Sequence, residues 1–187
     1  MAIPQTGNIL DCRTSIGGKV VFITGGFGGI GRACVSALLA HGARVAFSYA
    51  EGHEPADVVA AMVARDPERL SAHGLDLRSL DSIEACMGQV MARWGRIDIL
   101  INNAAVGSAT VAKYAAAASA QDSAMLTINA DGTLKVCQTF LALMSSRLKS
   151  DPLKIINVSS VGGGVQVFPG FRLSDGMSKA AVAFLTR

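Results

Sequence analysis

Cysteine is scarce in this 187-residue chain: Cys12, Cys34, Cys86 and Cys137 lie far apart and form no CxxC pair. That spacing supports neither a disulfide framework nor a cysteine zinc site, and it fits a reducing, cytoplasmic setting. Histidine is scarcer still; His41, His53 and His73 are scattered, so no metal site is expected. No run of basic residues is present, and 17 Lys plus Arg against 14 Asp plus Glu leave a formal charge of only +3. A charge so small and dispersed does not track a phosphate backbone, and no nucleic-acid partner is expected. The opening MAIPQTGNILDCRTS lacks an apolar stretch of signal-peptide length. The longest uncharged tract near the end, Ile155 to Phe171, is broken by glycines, polar residues and Pro169, and predicts no membrane span.

What is present is an apolar half of the sequence, 50% of residues, enough to bury the core of one domain. Strand-like runs at Val20 to Thr24, Ala43 to Phe47, Leu70 to Asp76, Ile97 to Asn102 and Lys154 to Ser159 alternate with segments of helical spacing. Such alternation predicts an α/β fold with a doubly wound parallel sheet in three layers. In the first helix Ile30, Ala33, Cys34, Ala37 and Leu38 fall on one stripe, with Gly42 placed as a left-handed stop. In the helix after the third strand Ile83, Met87, Val90, Met91 and Trp94 recur at helical spacing, and Gly95 closes it. Asp122 to Lys149 reads as one long helix, with Leu126, Asn129, Leu134, Cys137, Leu141 and Met144 as its inner face. Ala109 to Ala120 reads as a surface connection or a short helix. Residues 1–17 form an arm outside this unit, and residues 18–187 form the domain. The closing MSKAAVAFLTR is helical and has no stop signal. The domain therefore reads as incomplete at its C-terminus, with its last strands missing.

Immediately after the first strand comes TGGFGGIG, Thr24 to Gly31, leading into the first helix. Glycines let the backbone turn tightly and approach a diphosphate, and a helix N-terminus offers unpaired N–H groups and partial positive charge. A glycine-rich turn by itself also fits a plain strand-to-helix connection without a ligand.

The spacing TGxxxGxG resembles that of the short-chain dehydrogenase/reductase family, and further motifs follow in the family's order. Asp76-Leu77 resembles the family's adenine contact after the third strand. Asn102-Asn103-Ala104-Ala105 is similar to its NNAG, with Ala105 in place of glycine, where the added methyl crowds the cofactor side. Asn129, in LTINADG, resembles the helix asparagine that holds a water in a proton relay. Ser160, after IINV, resembles the catalytic serine, and Lys179, in SKAA, the lysine on the nicotinamide ribose. A capping serine, a solvated lysine or a turn asparagine would explain each residue singly, but not the ordered set. The resemblance implies a Rossmann fold binding a nicotinamide dinucleotide through Thr24, Gly25, Phe27, Gly29, Ile30, Gly31, Tyr49, Asp76, Leu77, Asn103, Ala104, Ala105 and Lys179. It implies hydride transfer to or from a small carbonyl or secondary-alcohol substrate, with Asn129, Ser160, Asp175 and Lys179 at the catalytic positions, and association into homo-oligomers in the full-length protein.

One position breaks the pattern. The family's tyrosine stands four residues before its lysine, and here that place holds Asp175. A phenol beside an ammonium can donate or accept a proton near neutrality, whereas a carboxylate has none to give. Three readings follow: Asp175 disables reduction and leaves cofactor binding intact; another group carries the proton, such as Ser160 through a water, or Asp175 acts as base in an oxidation; or the register differs, since Ser160 to Lys179 is longer than usual for the family. Neither Tyr49 nor Tyr114 replaces the missing tyrosine.

After the second strand stand Ser48, Tyr49 and Ala50, with Glu51 one step beyond. The acid that would hydrogen-bond the ribose hydroxyls and repel a 2'-phosphate is absent at the strand end, which favours NADP(H), with NAD(H) as the alternative. Val165, Val167, Phe168 and Phe171 form an apolar set that either lines a substrate pocket or packs under its loop. The function expected is an oxidoreductase; the alternative is a catalytically impaired nicotinamide-nucleotide-binding protein.

Overall fold

A computed structural model describes residues 16–147, 153–164, 166 and 169–187. Five strands, β1 (Val20–Ile23), β2 (Arg44–Tyr49), β3 (Leu70–Gly74), β4 (Ile99–Asn102) and β5 (Lys154–Asn157), form one parallel sheet in the order β3-β2-β1-β4-β5. The helices are α1 (Gly29–Ala40), α2 (Ala56–Val63), α3 (Leu80–Trp94), α4 (Ala118–Leu126), α5 (Gly132–Leu143) and α6 (Leu173–Leu185). Every residue of β1, VVFI, is buried, as a central strand covered on both faces must be. Val21 and Ile23 pack toward Val35 of α1 and Val59 of α2, while Val20 and Phe22 pack toward Ile83 and Met87 of α3 and Val136 and Phe140 of α5. Alternate residues of one strand thus feed opposite cores, giving the expected three-layer, doubly wound Rossmann-type sheet. Most of the expected arm, residues 1–15, lies outside the described residues.

The strand ends differ from those expected by at most two residues, and all five strands occur in the predicted order. Two helical faces differ more. In α1 the buried residues are Gly31 and Val35, with Cys34, Leu38 and Leu39 packed beside them; Ala33 and Ala37 are exposed, and Ile30 is 67% exposed. The close approach of Gly31 to the preceding loop sets this rotation, because a Cβ there would lie 2.1 Å from Gly25 O.

The expected single helix from Asp122 to Lys149 is instead α4, a π-helical turn over Thr127–Asp131, and α5. It begins at Ala118, inside the stretch read as a surface connection or a short helix; the rest of that stretch carries a 3-10 turn, Val111–Lys113. Positions 148 and 149 lie outside the described residues. The wide π turn shifts the phase of the helix face. Met125, Ile128, Asn129, Gly132, Val136, Cys137, Phe140 and Met144 are buried, whereas Leu134 and Leu141 are exposed. Gly132 fixes that choice, since a Cβ on it would meet Leu77 O at 2.7 Å.

α3 follows its sequence signals closely. The Ser79 hydroxyl accepts from Ser82 N at 3.2 Å as N-cap, and Gly95 ends the helix at φ 70°. Ile83, Cys86, Met87 and Val90 are buried, and burial pushes the Cys86 thiol up to about 12.

Candidate active site

The sheet order reverses direction between β1 and β4, and open α/β sheets bind ligands at such a switch point, beyond the strand ends. A cleft of about 700 Å³ lies there, with Gly25 and Gly28 to Gly31 on one wall and Asn103 to Val106 on another.

Gly25 takes φ +66°, and a Cβ on it would meet Ala104 Cα at 2.8 Å. The loop is held from two sides. Gly25 N donates to Ser48 Oγ at 3.1 Å and Gly26 N to Ser48 O at 3.0 Å. Asn103 Nδ2 donates to Thr24 O and Gly25 O, at 3.1 and 3.0 Å. Thr24 is buried, and its Oγ1 accepts from Asn103 N and Ala104 N at 3.1 and 3.0 Å. It therefore ties β1 to the loop after β4 rather than lining the cleft. Phe27 also turns away, packing on the β1–β2 core beneath Arg32, whose guanidinium sits 4.6 Å from the ring centroid.

The first intrahelical bond of α1 runs from Arg32 N to Gly28 O at 2.7 Å. The N–H groups of Gly29, Ile30 and Gly31 precede it, no side chain caps them, and the first turn carries no acidic residue. A Cβ on Gly29 would meet nothing within 4 Å. These three residues line the cleft, so the helix opens on it with uncompensated N–H groups, an arrangement suited to a diphosphate. The Ser79 cap on α3 shows what α1 lacks. The residues present therefore fit a dinucleotide.

At the other end of the same cleft stand Ser160 and Lys179. Ser160 is exposed, and its Oγ accepts from Gly162 N at 3.2 Å. Lys179 Nζ donates to Val158 O at 3.1 Å, and Ser159 Oγ donates to Lys179 O at 2.8 Å. The loop after β5 can lie this close to α6 because of Gly163, where a Cβ would meet Lys179 C at 2.7 Å. Burial lowers the Lys179 ammonium below the usual lysine range, with the Asp175 carboxylate pulling the other way.

Asn129 and Asp175 do not line the cleft. Asn129 is buried within the π turn; its Oδ1 accepts from Val106 N and its Nδ2 donates to Val106 O, both at 2.8 Å, and to Ser178 Oγ at 3.1 Å. It clamps the β4 loop to α6. Asp175 turns its carboxylate to Ser108. Ala105 is exposed on the cleft wall, and among the described residues no non-glycine has positive φ, so the backbone accepts alanine there without strain.

The short chain dehydrogenase family profile matches residues 19–187. The chain belongs to the short-chain dehydrogenase family. It is 34% identical to a sorbitol dehydrogenase of Cereibacter sphaeroides over 78% of this chain and 54% of that protein. It is also 34% identical to a D-threitol dehydrogenase of Mycolicibacterium smegmatis, over 81% and 56%. A short-chain dehydrogenase structure from Bacillus anthracis superposes with a TM-score of 0.75 at 26% identity, covering 90% of this chain and 65% of that one. The chain spans a little over half the length of these curated relatives. Family membership implies an NAD(P) cofactor. Among the described residues no helix is long and apolar enough to cross a membrane, and no group of His, Cys, Asp or Glu could hold a metal ion.

The short-chain dehydrogenase cleft also gathers residues that the sequence did not assign to the site. Gly28, Glu51, His53, Glu54, Arg78 and Tyr114 all line it. Glu54 Oε2 accepts from Ala50 N at 2.8 Å, and burial raises its carboxyl above the ordinary range, with the Ala50 N–H, Arg32, His53 and Lys113 opposing. No motif marks Glu54; the turn after β2 brings it back to the strand end. Asp76 lines the cleft, and its carboxylate is gripped by Arg78, Oδ2 to Nη2 at 2.8 Å, which holds it below the usual range. Of the apolar set in the β5 loop, Val165, Val167 and Phe168 lie outside the described residues, and Phe171 is exposed.

Proposed function

We propose that the chain is the cofactor-binding part of an oxidoreductase that moves a hydride between a nicotinamide dinucleotide and a ketone or secondary alcohol. One observation carries this reading: the uncapped N-terminus of α1 and the Ser160–Lys179 pair open on the same cleft. In this scheme the N–H groups of Gly29, Ile30 and Gly31 bind the diphosphate. Lys179, with one ammonium proton committed to Val158 O, keeps two to direct at ribose hydroxyls. Ser160 donates to the substrate oxygen, and Asn129 is a positioning residue that keeps the β4 loop in register with α6. The bound nicotinamide supplies or accepts the hydride; the protein supplies orientation and electrostatics. The names of the relatives, a sorbitol and a D-threitol dehydrogenase, support a secondary alcohol as the substrate class.

Glu51 and Glu54 bear on the nucleotide. The strand end itself lacks an acid, which favours NADP(H), but these two carboxylates face the same end of the cleft and oppose a 2'-phosphate. We therefore rank NAD(H) first and NADP(H) second. Glu54→Gln is expected to shift the ratio of NADPH to NADH affinity upward.

A second reading, a nucleotide-binding protein without turnover, is favoured by Asp175, which is bound to Ser108 in the place where the family carries its proton donor. Calorimetry with NADH and NADPH, together with nicotinamide absorbance over a carbonyl panel, tests both. Absence of nucleotide binding removes the proposal; binding with no turnover in the chain or in Asp175→Tyr leaves the second reading. For association, exposed Leu134 and Leu141 on α5 and Met177 and Phe184 on α6 support contact with a second copy, to be checked by sedimentation.

A further inference from the structure

A second groove, of about 720 Å³, runs along β3, the outermost strand of the sheet on that side, between α2 and α3. Among the described residues Tyr49 alone borders both this groove and the nucleotide cleft. Ser71 and His73 stand two residues apart on β3, so their side chains share one face of the strand. Both line the groove together with Gln89 and Arg93 of α3. Ser71 Oγ lies 2.9 Å from His73 Nε2, and His73 Nδ1 lies 2.9 Å from Gln89 Oε1. An amide oxygen only accepts, so Nδ1 carries the ring proton and Nε2 is left to accept from the Ser71 hydroxyl. Burial lowers the His73 imidazole below the usual histidine range, with the Gln89 hydrogen bond opposing and the Arg93 charge adding to the fall. At neutral pH the ring is therefore the neutral form that a base requires. A hydroxyl bonded to a neutral imidazole whose far nitrogen is held by a third side chain is the geometry of an activated nucleophile, whatever the fold.

We infer that Ser71, His73 and Gln89 form a second, hydrolytic site that cleaves a carboxylic ester with an alkyl acyl chain. Ser71 Oγ attacks the ester carbonyl carbon while its proton passes to His73 Nε2. The tetrahedral adduct expels the alcohol, whose oxygen takes that proton, and the acyl group stays on Ser71. Water then adds to the acyl carbonyl and gives a proton to His73; collapse releases the carboxylic acid, and the proton returns to Ser71 Oγ. The strand supplies a donor for the adduct's oxyanion. Arg69 O and Leu75 N bond across to β2, and because bonding direction alternates along a strand, Ala72 N–H turns to the outer edge. Ala72 lines the groove, so the amide that follows the nucleophile is open to the developing charge. Val59, Ala60 and Val63 of α2 make the facing wall apolar, which suits the alkyl chain. Ser71, His73 and Gln89 take no part in the hydride-transfer scheme, and the inference does not depend on it.

The experiment treats the chain with an alkyl fluorophosphonate, which phosphonylates activated serines, and separately with p-nitrophenyl butyrate. The labelled residue is located by peptide mass spectrometry, and nitrophenol release is followed by absorbance. The expected result is phosphonylation of Ser71 and ester hydrolysis at least about 100-fold faster than in Ser71→Ala, since a positioned base contributes that much or more. Gln89 is a positioning residue, exposed on α3. Gln89→Met should slow labelling at least roughly tenfold, and Gln89→Glu, which keeps an acceptor for the Nδ1 proton, should restore it, with melting temperatures unchanged in both. Labelling of the parent chain needs no variant, so a folding defect in Ser71→Ala does not obscure the answer. No labelled serine, a label on another serine such as Ser160, or equal hydrolysis by Ser71→Ala overturns the inference. NADH titration of the same sample reports on the dinucleotide reading separately: binding without a label on Ser71 removes the hydrolytic site and leaves that reading in place.

Discussion

Asp175 Oδ2 accepts two hydrogen bonds from Ser108, one from its backbone N–H and one from its hydroxyl, each 3.1 Å long. The carboxylate is thereby directed at the β4 loop, one helical turn before Lys179 on α6. A positioned proton donor contributes about 10² to 10⁴ in rate. Asp175→Tyr is therefore expected to raise turnover of a carbonyl substrate by at least about 100-fold over the parent chain, read from nicotinamide absorbance, with little change in NADH affinity. Equal rates in both would mean that the proton comes from elsewhere.

The glycine loop separates packing from ligand approach. Gly31→Ala forces a methyl to within 2.1 Å of Gly25 O, and Gly29→Ala meets nothing within 4 Å. Overpacking of this kind costs about 1–3 kcal/mol. Gly31→Ala should lower the unfolding free energy by that amount, seen as a lower denaturant midpoint, and abolish nucleotide binding. Gly29→Ala should leave the midpoint in place while weakening binding through crowding of the ligand.

Lys179 holds its proton less tightly folded than unfolded, chiefly through burial. Between the folded value and the ordinary lysine value of about 10.4, the unfolded chain binds more protons, so stability rises with pH across that window. Below the window the burden of burying the ammonium is constant. Lys179→Met should flatten this alkaline rise in pH-dependent melts. Asp175→Asn removes the group that pulls Lys179 upward and should start the rise at lower pH.

Asp98 behaves in the opposite sense. Burial pushes its carboxyl up, but Arg96, the Val20 N–H and Arg147 together hold it below the ordinary range. Its contribution is present above the unfolded carboxyl value and is lost as pH falls through the folded one. Asp98 is 3% exposed, and Asp98→Ala leaves the buried Val20 N–H without its acceptor and takes a carboxylate away from Arg96 and Arg147. A loss of about 3 kcal/mol, with a shallower acid limb in the stability profile, is expected in urea titrations at several pH values.

Much of the fold was legible because its signals are local. Ser79 and Gly95 bracket α3 by capping chemistry that acts within a turn, and the TGGFGGIG run forms a strand-to-helix bend wherever a sheet supports it. The long helix was misread because its phase depends on Gly132 meeting Leu77, a contact between segments distant in sequence. A period of 3.6 carried through Thr127–Asp131 predicts burial for Leu134 and Leu141, and the π turn rotates both outward.

The candidate site divides in the same way. Of the cleft-wall residues that the sequence supplied, Gly25, Asn103 and Ser160 follow strand ends and Lys179 lies midway along α6, in elements whose order and spacing along the chain fix position. Glu54, His53 and Tyr114 reach the same cleft from loops whose paths follow from packing, and no local pattern distinguishes them from ordinary surface residues. Sequence alone determined the order of elements, the glycine turn and the loss of a phenol at position 175, since these depend on residue identity and short-range geometry. Only the tertiary structure decided which amides of the loop remain unbonded, that Ser108 binds Asp175, and that His53 meets Tyr114 on the cleft wall, because each is a contact between parts of the chain brought together by the sheet.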